Sequence, residues 1–438
     1  MLDIVSYFNF ALSLVISAAY FYQLVYLMYG TYSLRRPWEY TTAAKQHRYA
    51  VLISARNEAE VIGELIHSLQ NQNYPKELLD ICVVADNCTD NTAQAARNAG
   101  AIVFERFDTK NKGKGYALGY LLHELKADIG ESGYDGFFVF DADNIVDANF
   151  VAEMNKVFDT GHYAALTSYR NSKNFSTNWI SAGYALWFMR EARFLNFPRM
   201  LLGTNCAISG TGFLISAQVV QENGGWPYHL LTEDIEFSVN CALKGQRIGY
   251  CEKAVLYDEQ PETFKQSWDQ RLRWSKGFYQ VDVKYGFALF KGCFTNRGSR
   301  FSCYDMLCTV APGMLLTLTL LAMNLILLAT ALTEPAYIAR RIYSEAGGTL
   351  LITVGIFYIS LLLFGAMTTF TEWKKIDATT AQKIKYTFTF PLFMFTYIPI
   401  AIVALVRKVE WRPIKHTAMG AARLAAITPA YHESEIQG

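Results

Sequence analysis

The chain has 438 residues, with 40 basic and 39 acidic side chains and a formal net charge of +1. That balance lacks the clustered basic surplus expected of a nucleic-acid partner. A hydrophobic fraction of 52% and an aromatic content of 15% point instead toward lipid, and the length accommodates one sizeable domain plus a membrane part.

Residues 4–28 are mostly apolar and carry no charge. At 1.5 Å per residue they are long enough to cross a hydrocarbon core of about 30 Å. No basic region precedes them, which makes a cleavable signal peptide the weaker reading. Arg35, Arg36 and Lys45 follow and predict a cytoplasmic C-terminal end, hence an anchor with its N-terminus outside.

Residues 49–54 form an apolar run that meets Ala55, Arg56, Asn57 and Glu58, after which Val61, Ile62, Leu65, Ile66 and Leu69 recur at helical spacing. The pattern predicts a buried strand, a turn and an amphipathic helix. Residues 80–86 repeat the strand, 92–100 read as a helix stopped by glycine, and 101–105 are strand again. Such alternation predicts a parallel, helix-covered sheet. Ligands of such sheets sit beyond the carboxyl ends of the strands, where Arg56, Asp86 and Asp141 fall. Asp86 fits a turn or helix-capping role equally well.

Lys112-Gly113-Lys114-Gly115 opens a predicted helix at 116–125. Lysines and glycines at a helix start can meet a phosphate, and an exposed loop would look the same. The apolar run 137–140 ends in Asp141-Ala142-Asp143-Asn144. Two carboxylates at a strand end can share a hard divalent ion that also binds a diphosphate. Ser209-Gly210-Thr211-Gly212-Phe213 leads into another short apolar run. Leu230-Leu231-Thr232-Glu233-Asp234 then opens a helix through Ile235, Phe237 and Val239. Thr232 suits an N-cap with acids in the first turn, and a carboxylate held there suits a general base for a sugar hydroxyl.

Residues 264–290 alternate large apolar and polar side chains as one or two amphipathic helices near a membrane surface would. Gln270, Arg273 and Trp274 share one helical face. An arginine can fork onto phosphate and an indole can stack on a sugar ring; the alternative is an interfacial Trp and Arg pair anchoring the helix to lipid. Further apolar segments at 306–332, 349–370 and 387–406 complete the chain. The last has basic residues on both flanks: Lys374, Lys375, Lys383 and Lys385 before it, and Arg407, Lys408, Arg412 and Lys415 after it. Pro391 and Pro399 would permit a re-entrant segment, with a true crossing as the alternative. The eight cysteines show no paired Cys-x-x-Cys spacing, and reduced, partly buried thiols are expected. The division that follows is an anchor over 1–31, a cytosolic domain over 32–263, interfacial helices over 264–300, and a membrane region with a tail over 301–438.

Asp-Ala-Asp, Thr-Glu-Asp and Gln-Arg-Leu-Arg-Trp in this order give residues 45–300 a pattern that resembles the processive membrane-bound family 2 glycosyltransferases, among them cellulose, hyaluronan and chitin synthases and bacterial β-glucan synthases. The resemblance implies a GT-A domain, an α/β fold of the doubly wound type, beside α-helical transmembrane segments. It implies uridine contacts at Ala55, Arg56, Asn57, Glu58 and Asp86, and a nucleotide contact at Lys114. Asp141 would hold nucleotide and, with Asp143, Mg2+ or Mn2+. Asp234 would be the catalytic base, Gln270 and Arg273 would meet the diphosphate, and Trp274 the acceptor. The implied reaction is inverting, from a UDP-sugar to a growing β-glycan at a bacterial plasma membrane, with UDP-glucose and a β-glucan favoured and export across the bilayer. Two features depart from the pattern: a single acid in Ala85-Asp86 where many relatives carry two, and few membrane segments for a polymer channel. The alternatives are a synthase using UDP-GlcNAc, a non-processive lipid glycosyltransferase, and a non-enzymatic scaffold or transporter. Spans with almost no charged residues argue against transport.

Overall fold

The computed structural model describes residues 2–32, 42–129, 133–310 and 312–409. Arg35, Arg36, Arg412 and Lys415, which bear on the expected membrane orientation, lie outside the described residues, as does the tail from 410 onward.

One eight-stranded sheet organises the domain. Its strands are β1 (Tyr49–Ala55), β2 (Leu79–Asp86), β3 (Ile102–Arg106), β4 (Gly136–Asp141), β5 (Ile145–Val146), β6 (Ala165–Ser172), β7 (Phe213–Ser216) and β8 (Ile248–Asp258), in spatial order β3-β2-β1-β4-β7-β6-β8-β5. The first four are parallel, with Ser54 opposite Asp141 and Asp86 opposite Arg106. Their runs are almost continuously apolar because helices cover both faces. The sheet is nonetheless mixed, which corrects the expectation of a parallel one: β7 runs antiparallel to both β4 and β6, and β5 antiparallel to β8. A short apolar run such as residues 213–216 carries no information about its direction.

Two helices, α1 (Leu2–Tyr20) and α2 (Tyr22–Tyr32), precede the sheet. Within the domain lie α3 (Ile62–Gln70), α4 (Thr92–Asn98), α5 (Lys114–Ile129), α6 (Phe150–Phe158), α7 (Trp179–Glu191), α8 (Phe197–Leu202), α9 (Ala217–Glu222) and α10 (Glu233–Lys244). The segment from 264 is a single 32-residue helix, α11 (Phe264–Thr295), started by a capping box between Thr263 and Gln266. Beyond it come α12 (Arg300–Val310), α13 (Pro312–Thr330), α14 (Ala336–Ile342), α15 (Gly348–Thr371), α16 (Thr380–Phe395) and α17 (Tyr397–Val406).

Among the described residues, three helical stretches are long and apolar enough to cross a membrane: Ser6–Tyr32, Ala336–Thr371 and Thr380–Val406. α12 and α13 qualify only together, as a bent pair. All eight cysteines are free thiols, buried or half-buried.

The membrane-type helices are not loosely tethered. Tyr386, Phe390, Phe393 and Met394 of α16 belong to the same apolar core as β1 and β4, and Gly183 of α7 leaves the space that the Phe393 ring fills. Arg271 of α11 is fully buried; its guanidinium donates to Phe393 O (3.1 Å) and Thr396 Oγ1 (2.6 Å) and lies 4.4 Å from the Phe393 ring centre. A cation enclosed by rings and the carbonyl end of a helix is stabilised without a carboxylate. Glu372, just past α15, accepts from Arg193 Nε (2.7 Å) and Tyr169 Oη (2.8 Å). Lys375 (3.2 Å) and Arg193, with the Tyr169 hydrogen bond, hold its buried carboxyl down at about 2 against the cost of burial.

Candidate active site

The carboxyl ends of β1, β2 and β4 and the N-termini of α5 and α10 converge on one crevice. Asn57 and Asn87, immediately after β1 and β2, have φ of +59° and +53°, a conformation that asparagine tolerates better than most residues. Their turns are tied together: Thr89 N donates to Asn57 Oδ1 (2.8 Å) and Glu58 N to Thr92 Oγ1 (2.9 Å). The turn thus presents Ala55, Arg56, Asn57 and Glu58 at the strand end as one unit.

Asp86 closes β2 and is buried against Arg106, whose Nη1 donates to its Oδ1 at 2.5 Å. At the start of α4 the N-cap is Asn91, which makes no side-chain cap hydrogen bond, and Asp90 accepts from Thr92 N (3.1 Å). Arg106 also holds the Asn111 carbonyl (2.7 Å), so Asp86 fixes the loop that leads to Lys114.

Lys114 Nζ donates to Asp141 Oδ1 (2.5 Å) and to Gly210 O (2.6 Å). The start of α5 comes this close because Gly115 has no side chain: a Cβ there would collide with Tyr228 O. Asp143 is buried beside Asn144, which reaches Asp258 Oδ1 at 3.0 Å. Asp258 in turn accepts from Arg170 Nε (2.9 Å). Burial pushes the Asp258 carboxyl up, Arg170 pulls it back, and the neighbouring Asp143 adds to the rise. Among the described residues no group of three or more His, Cys, Asp or Glu side chains is arranged to hold a metal. The protein therefore offers Asp141 and Asp143, a pair of hard oxygen donors that fits magnesium or manganese if phosphate and water complete the shell. The crowding of Asp141, Asp143 and Asp258 against Lys114 and Arg170 is the electrostatic setting such an ion would relieve.

Asp234 lies in the first turn of α10. Its Oδ2 would lie 4.0 Å from a Cβ on Gly210, and its carboxyl is raised from its ordinary value by enclosure, with Lys114 and Arg273 opposing the rise. Burial and Asp234 also raise the adjacent Glu233. Thr232 stands at the N-cap but makes no side-chain cap hydrogen bond. The residue that secures this turn is Glu236, fully buried, whose carboxylate accepts from His229 N (3.1 Å), Leu230 N (3.1 Å), Lys284 Nζ (2.6 Å) and Tyr285 Oη (3.0 Å).

Lys284 and Tyr285 belong to α11, so Glu236 ties α11 to the Thr-Glu-Asp turn. Arg273 on α11 donates to Leu231 O (3.4 Å). Trp274 is half-buried, edge-on to Tyr184 (5.7 Å) and Phe188 (6.0 Å). Gln270 Oε1 is buried without a hydrogen-bond partner among the described residues. Close contact is possible because a Cβ on Gly277 would lie 2.5 Å from Thr232 Cγ2 and 2.9 Å from Thr232 N. Gly277→Ala should push α11 off the turn, and a shift of about 1 Å can cost roughly 10²-fold in rate. Steady-state turnover with a matched melting temperature measures it.

Direct contacts join Lys114, Asp141 and Gly210, with Asp234 beside Gly210; Asp86 is held by Arg106 at the neighbouring strand end, and Arg273 links the α11 face that carries Gln270 and Trp274 to Leu231. Sequence reasoning gave no role to Asn144, Arg170, Asp258, Glu236 or Gly277. A glycine inside a long helix, which costs about 1 kcal/mol relative to alanine, was the one signal that could have singled out Gly277.

A family model described as "Glycosyltransferase like family 2" matches residues 47–277, more than half of the chain, and the chain belongs to that family. It is a family 2 glycosyltransferase with a GT-A-like fold. It is 29% identical over 259 residues to the "Probable glycosyltransferase YdaM" of Bacillus subtilis, covering 56% of this chain and 58% of that protein. It is 26% identical over 240 residues to the "Beta-monoglucosyldiacylglycerol synthase" of Synechocystis, covering 54% and 48%. It is 28% identical over 247 residues to the "Poly-beta-1,6-N-acetyl-D-glucosamine synthase" of Staphylococcus aureus, covering 55% and 57%. The alignments thus span about half the length of the curated relatives it matches. Among solved structures, the mannosyltransferase PcManGT from Pyrobaculum calidifontis, in complex with GDP-Man and Mn2+, superposes with a TM-score of 0.53 at 17% identity, covering 93% of this chain and 99% of that one. At that identity the likeness bears on the fold.

Proposed function

We propose that the chain is an inverting, UDP-sugar-dependent hexosyltransferase that extends a β-linked glycan at a membrane, with glucose the favoured sugar and a bacterial plasma membrane its site. The observation that carries this reading is the place of Gly210, whose carbonyl accepts from Lys114, the partner of Asp141, and which lies beside the Asp234 carboxylate. Donor diphosphate and acceptor hydroxyl would thereby be registered against a single residue. In one displacement the acceptor oxygen bonds to the anomeric carbon, the bond from that carbon to the β-phosphate oxygen breaks, and the hydroxyl proton passes to Asp234. Lys114 and Arg273 would offset charge on the departing UDP. Magnesium or manganese at Asp141 and Asp143 would, when bound, supply the remaining Lewis-acid stabilisation.

On this reading Ala55 to Glu58 and Asp86 line the uridine end, and the catalytic domain faces the cytoplasm. A second reading, transfer of one sugar to a lipid, is favoured by the small number of candidate spans and by the name of the Synechocystis relative. Incubation of the purified full chain with radiolabelled UDP-glucose and UDP-GlcNAc separates them: long hydrolase-sensitive polymer supports the first, a single-sugar lipid the second.

Trp274 tests the acceptor side. Trp274→Ala removes an aromatic contact worth about 0.5 to 1.5 kcal/mol beyond area burial. The expected outcome is a higher ratio of free sugar released to sugar incorporated, with donor binding kept. An unchanged ratio and product length would make Trp274 a packing residue between Tyr184 and Phe188.

A further inference from the structure

The Ser209–Gly212 segment is the crossing point of the site. Gly210 O accepts from Lys114 Nζ (2.6 Å), and the Asp234 carboxylate lies beside Gly210, its Oδ2 4.0 Å from where a Cβ would stand. Thr211 Oγ1 accepts from Asp141 N (2.9 Å) and donates to Asn144 Oδ1. Ser209 O accepts from Arg170 Nη1 (3.0 Å). Gly210 and Gly212 have φ of +78° and +66°, in the left-handed region where glycine is unstrained. Two such residues let the segment fold tightly, and they also leave it without side chains to hold its shape. The anchor at its entrance comes from outside: Ser209 Oγ donates to Glu191 Oε1. Glu191 is the last residue of α7, the helix that also carries Tyr184 and Phe188 against Trp274.

We propose that Glu191 is a positioning residue for transfer, acting through Ser209 to hold Gly210 in its place against the Asp234 carboxylate. The proposal rests on the reading of Asp234 as the base. Glu191 lies among charges from several elements, Arg199 of α8, Arg170 of β6 and Asp234 of α10. Its hydrogen bond to Ser209 is the contact that converts its place on α7 into a constraint on the loop. Because the acceptor side of the site depends on this constraint and the Lys114–Asp141 pair has its own direct bond, loss of Glu191 should spare donor binding.

The experiment compares Glu191→Leu, Ser209→Ala, the double variant and Glu191→Gln in the purified full chain, with donor concentration varied and both transfer and melting temperature read. Glu191→Leu and Ser209→Ala should each lower kcat by about 10- to 100-fold while donor KM stays within about twofold. The double variant should be no worse than either single one, since both remove the same contact. Glu191→Gln keeps an acceptor oxygen for the Ser209 hydroxyl and should recover kcat to within about fivefold of wild type. If Glu191→Leu does not fold, Ser209→Ala decides, because it breaks the contact without touching the buried carboxyl. A flat series, a donor KM that rises in step with the fall in kcat, or a Gln variant as poor as the Leu variant would overturn the proposal. Asp234→Asn assayed in parallel keeps the two ideas apart. Transfer surviving in that variant defeats the base assignment, whereas an inactive Asp234→Asn beside a flat Glu191 series defeats only this one.

Discussion

Asp143→Asn should reduce sugar transfer below about a thousandth of wild type, since losing several kcal/mol of charge stabilisation at about 1.4 kcal/mol per decade has that effect. The substitution is conservative in shape, and Asn144, Arg170 and Asp258 retain their mutual hydrogen bonds, so the fold should stay intact. A neutral amide is a much poorer ligand for a hard cation than a carboxylate. Chelation of the wild-type enzyme should give the same loss, restored by added magnesium or manganese. Undiminished transfer in EDTA would falsify the metal assignment, and an active Asp143→Asn variant would move the ligand role to another group.

Asp234→Asn should lower transfer by roughly 10²- to 10⁴-fold, the usual contribution of a positioned base, while UDP-sugar affinity remains close to wild type. Isothermal titration and turnover measured on the same preparation should separate binding from chemistry. The pH dependence has a definite sign. A base works deprotonated, and enclosure raises the Asp234 carboxyl from its ordinary value, so turnover should climb with pH through a limb above that value. Glu233 is raised beside it, which means that the limb belongs to the pair rather than to one residue. An acidic limb at ordinary carboxylate values, or near wild-type rates in Asp234→Asn, would place the base elsewhere.

How much of this was legible in the sequence follows from which interactions are local. β1, β2 and β4 could be read because each is a buried parallel strand whose apolar run ends abruptly in polar residues, and the more exposed β3 because a helix stopped by Gly100 precedes its apolar start. β6 and β8 could not, since Ser168, Arg170 and Asn171 interrupt the one and Glu252 and Lys253 the other, and their pairing joins residues far apart in the chain. The Thr-Glu-Asp and Gln-x-x-Arg-Trp residues were legible as motifs, but that the two would meet was not. That contact depends on Gly277 having no side chain and on Glu236 reaching Lys284 and Tyr285. Asp86 illustrates the converse: a turn-forming stretch suggested a cap, whereas the sheet register sets Arg106 directly opposite. Strand pairing decides that partner, and nothing within a few residues of Asp86 announces it.

The burial of Arg271 between α11 and the joint of α16 with α17 bears on how this enzyme can be divided. A fragment ended near residue 300 would strip Arg271 of the Phe393 and Thr396 oxygens and leave Arg193 with Glu252 alone in place of Glu252 and Glu372. It would also expose the face that Tyr386 and Phe390 cover. A buried guanidinium deprived of acceptors and bare apolar surface are both costly. Catalysis and anchorage in this chain are therefore inherited as one piece, and exchange of its membrane helices with those of a relative would have to carry the matching α11 along.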